Sequence, residues 1–134
     1  MPQMIFVNLP VTDVARSRTF YEGLGFTINE KFSDATAACV VLSDTIYFMI
    51  LNHERFQGFA SKPLADPAKS TAVMIALSQD SRTAVDAFTV AALKPGGAEP
   101  KPAQDMGFMY SRTFHDPDGN VIEPFWMDPA AVQG

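Results

Sequence analysis

Met4-Ile5-Phe6-Val7-Asn8-Leu9-Pro10-Val11-Thr12-Asp13 alternates side by side and then offers a helix-starting residue. Ile5, Val7, Leu9 and Val11 fall on one side of an extended segment and Met4, Phe6, Asn8 and Pro10 on the other, which is the period of a strand. Asp13 supplies an N-cap, after which Val14, Tyr21 and Leu24 share one helical stripe with Phe20 beside it. Gly23 and Gly25 end that helix. Three β-rich runs follow, Phe26 to Phe32, Thr36 to Leu42 and Thr45 to Leu51, punctuated by Ser33-Asp34 and Ser43-Asp44. The order over residues 3–52 is therefore βαβββ.

Working outward, residues 53–70 carry Gly58, Pro63 and Pro67 and suit a linker with a short helix around Glu54 to Phe59. The first order then restarts over residues 71–128. Val73, Ile75 and Leu77 alternate with Met74, Ala76 and Ser78, Asp80 or Ser81 offers a cap, and Val85, Phe88 and Ala92 make a second helical stripe. Pro95-Gly96-Gly97 closes the helix. A Pro-broken edge run from Ala98 to Ala103 and strands from Phe108 to His115 and Asn120 to Met127 complete a second βαβββ. Asp116-Pro117-Asp118-Gly119 is the hairpin turn between the last two. Neither half can bury both faces of its sheet alone, so the expectation is one α+β domain, residues 1–134, whose two βαβββ modules carry curved mixed sheets around a cleft.

Composition sets the class. A chain of 134 residues with net charge −5 and 47% apolar residues holds a core large enough to fold without staples. It has no run of about 20 apolar residues that would span a membrane and no Lys/Arg patch interleaved with aromatics for nucleic acid. Cys39, the single cysteine, sits in Ala37-Ala38-Cys39-Val40-Val41 and reads as a core residue of a strand. No disulfide framework or basic, apolar and small-residue leader pattern is present, so a reducing cytoplasm is expected.

Val7-Asn8-Leu9-Pro10-Val11-Thr12-Asp13 with Ser17, Phe20-Tyr21 and Leu24-Gly25-Phe26 resembles the opening of glyoxalase-type proteins of the vicinal oxygen chelate superfamily. Ile75-Ala76-Leu77-Ser78 resembles its fifth strand, and Asp116-Pro117-Asp118-Gly119-Asn120 followed by Ile122-Glu123 its last hairpin. That superfamily includes glyoxalase I, extradiol dioxygenases, fosfomycin-modifying enzymes and bleomycin-resistance proteins, so the fold alone does not name the chemistry. Its metal-using members bind a divalent ion through His, Gln or Glu at four strand positions. By resemblance these fall here on Phe6, on Phe48 (or Met49 after a one-residue slip), on Met74 and on Glu123. A phenyl ring cannot ligate, and a thioether suits copper(I) rather than ions that chelate vicinal oxygens. Only Glu123 matches.

The resemblance thus implies an apolar pocket walled by Phe6, Phe48 and Met74 with one carboxylate, nearer to bleomycin-resistance binding than to glyoxalase chemistry. Asn8 lies beside Phe6 on the first strand and is read as a ligand contact, and Tyr110, on the last hairpin, is read as a core or dimer contact or as a further ligand contact. Phe125 and Trp126 are read as core or dimer contacts. Counting inward from His115 opposite Asn120 puts Arg112 opposite Glu123, as a salt bridge or as the receptor for a ligand anion. His53 and His115, the two imidazoles, fall at strand ends. The leading expectation is a small-molecule-binding homodimer without cofactor, with Glu123 as the one family-matched catalytic position. The alternative is a metal-dependent lyase of the lactoylglutathione lyase type, or an extradiol-type dioxygenase, holding a divalent metal at a displaced site.

Overall fold

The computed structural model describes residues 2–132. It divides into two compact units, residues 1–66 and 67–134. In the first, β1 (Ile5–Val11) leads through α1 (Val14–Gly23) to β2 (Thr27–Asp34), β3 (Ala37–Val41), β4 (Ile46–Asn52) and α2 (His53–Phe59). In the second, β5 (Met74–Ser78) leads through α3 (Arg82–Leu93) to β6 (Gln104–Asp105), β7 (Met109–Ser111), β8 (Phe114–His115), β9 (Val121–Met127) and α4 (Pro129–Val132). The sheet orders are β1-β4-β3-β2 and β5-β9-β7-β6, with β8 also on β9, so each unit places its first strand parallel to its last. Two curved mixed sheets in an α+β chain repeat one βαβββ topology.

Caps and turns account for the boundaries. The Asp13 carboxylate accepts from Arg16 N at 3.1 Å, starting α1, and Gly25 follows it at φ +98° where an L side chain would be strained. Ser81, not Asp80, caps α3 through Ala84 N at 3.0 Å. The first hairpin turns at Ala35-Thr36, two residues later than Ser33-Asp34, because the Asp34 carboxylate accepts from both Thr36 N and Thr36 Oγ1 at 2.7 Å. In the first unit α1 covers the face bearing Leu9, Val11, Val40, Phe48 and Ile50, with Phe20, Tyr21 and Phe48 at T-shaped ring contacts of 4.9 and 5.7 Å. In the second, α3 sets Phe88 against Phe114 at 5.6 Å over Ile122. Cys39 is a free thiol, 1% exposed, and burial pushes its pKa up.

Two strand expectations need correction in the second unit. Ala98 to Ala103 is not a strand: Ala98 makes a single bridge to His115, and pairing resumes only at Gln104-Asp105. Pro100 and Pro102 have no N–H to give a ladder. The run from Phe108 to His115 is broken at Arg112-Thr113, where Arg112 N donates to Pro124 O at 3.1 Å but Pro124 has no N–H to return the bond. Among the described residues no helix is long and apolar enough to cross a membrane.

Candidate functional site

Each sheet has one face under its helix and one face without it, and the register decides which side chains lie where. In the first unit Phe6 pairs Tyr47, Val7 pairs Phe48 and Asn8 pairs Met49. Partners in register share a face, so Phe6, Asn8, Tyr47 and Met49 lie on the open face while Phe48 lies under α1. Phe48 is fully buried against Tyr21, which removes it from any pocket wall. Met49, the alternative after a one-residue slip, is the residue on the Asn8 side. Phe6 stacks on Tyr47 with ring centroids 4.5 Å apart and remains 45% exposed.

A pocket occupies this open face within the first unit. One lobe of about 640 Å³ runs between Asn8, Leu51, Phe56, Phe59 and the segment Ala60 to Ala65. An adjoining lobe of about 390 Å³ shares Asn8, Leu51 and Phe59 and adds Met49, Ala37, Arg55 and the end of β2 from Lys31 to Asp34. Its walls are held in place. Asn52 caps α2 through Arg55 N at 2.8 Å, and the Gln57 amide donates to Lys62 O at 2.9 Å while accepting from Leu64 N at 3.0 Å, pinning the 60–65 segment against the helix. Ser33 Oγ donates to Asn29 O at 2.7 Å and accepts from Cys39 N at 3.0 Å, shaping the irregular end of β2. Asn8 offers the floor a polar group whose one described contact is a long 3.5 Å bond from its amide nitrogen to Phe6 O. The Arg55 guanidinium lies 5.6 Å over the Phe59 ring at the mouth.

The second unit separates the expected site residues. The last hairpin pairs Phe114 with Ile122 and Ser111 with Phe125, so Thr113, not Arg112, stands beside Glu123. Thr113 Oγ1 lies 3.2 Å from Glu123 Oε1. The expected Arg112–Glu123 pair does not form. Asp116 itself closes the ladder, its N–H donating to Asn120 O at 2.9 Å, which leaves three loop residues rather than four and shifts the register by one. Arg112 and Tyr110 therefore lie on the face under α3 with Asp86. Arg112 bonds Glu99 bidentately, Nε to Oε2 and Nη2 to Oε1 at 2.8 Å each, and Asp86 Oδ1 through Nη1 at 3.0 Å. Tyr110 OH donates to Asp86 at 2.6 Å, raising the phenol pKa and lowering that of Asp86, and the Arg112 hydrogen bonds hold the Glu99 carboxyl below its ordinary range. Arg82 caps this cluster, 5.3 Å over Tyr110 and 5.1 Å over Trp126. Met74, on the edge strand β5, is 61% exposed on the same face as Glu123.

Asn8, a cleft-side residue in the sequence, lines this pocket together with Arg55, Phe56, Phe59 and Lys62, which lie in the segment whose sequence suits a linker with a short helix. The signal available was Asn52-His53-Glu54-Arg55, a capped helix start carrying two apolar residues three apart, Phe56 and Phe59.

Residues 3–43 match the family model of bleomycin resistance protein-like N-terminal domains. No curated protein matches the chain. Among solved structures, a hypothetical protein from S. aureus is 25% identical with a TM-score of 0.78, over 94% of this chain and 95% of that one. A glyoxalase/bleomycin resistance protein/dioxygenase family enzyme from Burkholderia phytofirmans is 17% identical, TM-score 0.75, over 94% and 99% of the two chains. A glyoxalase-related enzyme from Fulvimarina pelagi is 18% identical, TM-score 0.79, over 94% and 88%. The chain has the fold of the vicinal oxygen chelate superfamily.

That fold implies a metal in many members, and the residues here do not fit one. The four strand positions hold Phe6, Met49, Met74 and Glu123, a single hard donor among them. Among the described residues no three His, Cys, Asp or Glu side chains come together as a metal site. His53 begins α2 and His115 ends β8.

Proposed function

We propose that this vicinal oxygen chelate protein binds a small organic molecule in the apolar pocket on the open face of its first sheet, without the superfamily's metal. The observation that carries the reading is the pocket itself: about 640 Å³ in its larger lobe, walled by Leu51, Phe56, Phe59, Pro63 and Leu64, with Asn8 as a polar group on the floor. Mostly apolar walls with a few placed polar groups are the usual composition of an organic-ligand site. Fluorescence titration with the neutral dye N-phenyl-1-naphthylamine tests it. Saturable one-to-one binding is expected in the wild type and its loss in Asn8→Trp, whose indole would fill the floor; equal binding by both proteins would remove the site from this pocket.

A second reading, a lyase or dioxygenase with a displaced metal, is favoured by one feature. The Glu123 carboxylate is bonded by the neutral Thr113 hydroxyl rather than by Arg112, which leaves its charge available. Elemental analysis of protein purified without chelator separates the two readings. Near-stoichiometric Ni, Zn, Mn or Fe that disappears in Glu123→Ala would establish the second. We further propose a homodimer, since β1 and β5 are edge strands with Met4, Ile5, Phe6, Val73 and Met74 exposed. Sedimentation velocity at micromolar concentration should give twice the chain mass, and a monomer would reject it.

A further inference from the structure

We infer that the ligand of this pocket is an amphipathic organic anion, its apolar body on Leu51, Phe56 and Phe59 and its carboxylate or sulfonate at Arg55 and Lys62. The inference rests on the pocket reading above and adds the charge and orientation of the occupant.

The local charge runs against the chain. A protein of net charge −5 lines the two lobes with Lys31, Arg55 and Lys62 against the one carboxylate of Asp34. That carboxylate is already engaged, accepting from Thr36 Oγ1 and Thr36 N at 2.7 Å each. These bonds and the nearby Arg55 charge hold its pKa down, so it stays ionised without demanding a ligand cation. Arg55 also has donors to spare. Its two described polar contacts, Thr36 Oγ1 at 3.3 Å and Asp34 Oδ2 at 3.9 Å, both run through Nη1, and its side chain is 47% exposed. Nε and Nη2 make the edge of a planar fork that matches a carboxylate or sulfonate.

Orientation is preset as well. The Phe59 ring beneath the guanidinium limits its swing, and the Gln57 bonds to Lys62 O and Leu64 N fix the segment that carries Lys62 along the larger lobe, which shares Asn8, Leu51 and Phe59 with the lobe that Arg55 lines. A cationic ligand would face Lys31, Arg55 and Lys62 with only Asp34 to offset them. A neutral one would leave the Arg55 fork to water and gain nothing from its charge.

Two dyes with one ring system test the charge: 8-anilino-1-naphthalenesulfonate and its sulfonate-free counterpart N-phenyl-1-naphthylamine. At low salt the sulfonate should bind about tenfold tighter, the worth of roughly one charge-assisted contact. Raising the salt should shrink that preference. Arg55→Gln and Lys62→Gln should each weaken the sulfonate several-fold and by more than they weaken the neutral dye, and Arg55→Lys, which keeps the charge but not the fork, should fall between. Equal affinity for the two dyes, or a sulfonate affinity unmoved by Arg55→Gln and Lys62→Gln, overturns the anion proposal while the neutral dye still reports the pocket. If neither dye binds, the pocket reading fails and takes this inference with it.

Discussion

Replacing Arg112 with Met removes the charge that ties β7 and β8 to α3 and to the Glu99 segment. The guanidinium makes two bonds of 2.8 Å to Glu99 and one of 3.0 Å to Asp86. Side-chain exposures of 17% for Arg112 and 21% for Glu99 put that pair between an exposed bridge and a buried one. An exposed pair is worth ~0 to 1 kcal/mol, and stranding one member of a buried pair costs ~3 to 5. Asp86 is 48% exposed, and its share is set near zero for solvent screening. Arg112→Met should therefore cost about 2 to 3 kcal/mol, read as a drop in urea midpoint at constant slope. Adding Glu99→Gln, which removes the stranded charge, should recover part of the loss; adding Glu123→Gln should recover none, because that side chain lies on the other sheet face. Recovery by Glu123→Gln and not by Glu99→Gln would refute the one-residue register assigned to the last hairpin. The pair also sets a pH dependence. Glu99 titrates below its ordinary 4.5 in the folded chain, so its contribution is full above that value and is lost as pH falls through the lowered one. In Arg112→Met that acid-side slope should flatten.

Phe48→Ala should cost about 3 to 5 kcal/mol by urea unfolding, since its ring is fully buried against Tyr21, whereas Phe6→Ala on the open face should cost about 1. Similar losses in the two variants would contradict the face assignment. Gly119→Ala should destabilise by at least ~2 kcal/mol on the same measurement, because residue 119 sits at φ +97° and an added Cβ would stand 2.6 Å from Pro67 O. A near-neutral result would show that the turn relaxes.

The repeated order of elements was legible because strands and capped helices write their periods into the chain. Val7-Asn8-Leu9-Pro10-Val11 alternates, and the Asp13 and Ser81 side chains act as the N-caps that their positions suggest. What failed was register. A count from His115 opposite Asn120 is off by one because Asp116 pairs Asn120, and with a side-chain period of two that single step moves Arg112 and Tyr110 from the Glu123 face to the α3 face. The same parity separated Phe48 from Met49, which sequence could leave only as alternatives. The pocket was hidden for another reason: the capped start of α2 is legible, but the segment carrying Lys62 is folded back beside Phe59 by Gln57 bonds to backbone atoms five and seven residues on, a closure that side-chain periodicity does not announce.

Ligand binding in this pocket should be independent of metal. N-phenyl-1-naphthylamine titrated into protein stripped with a chelator, and again after Zn²⁺, Ni²⁺, Mn²⁺ or Fe²⁺ is restored, should saturate with one dissociation constant throughout, as a pocket of Asn8, Leu51, Phe56 and Phe59 requires. Binding that appears only after a metal is added, and is lost in Glu123→Ala, would contradict it.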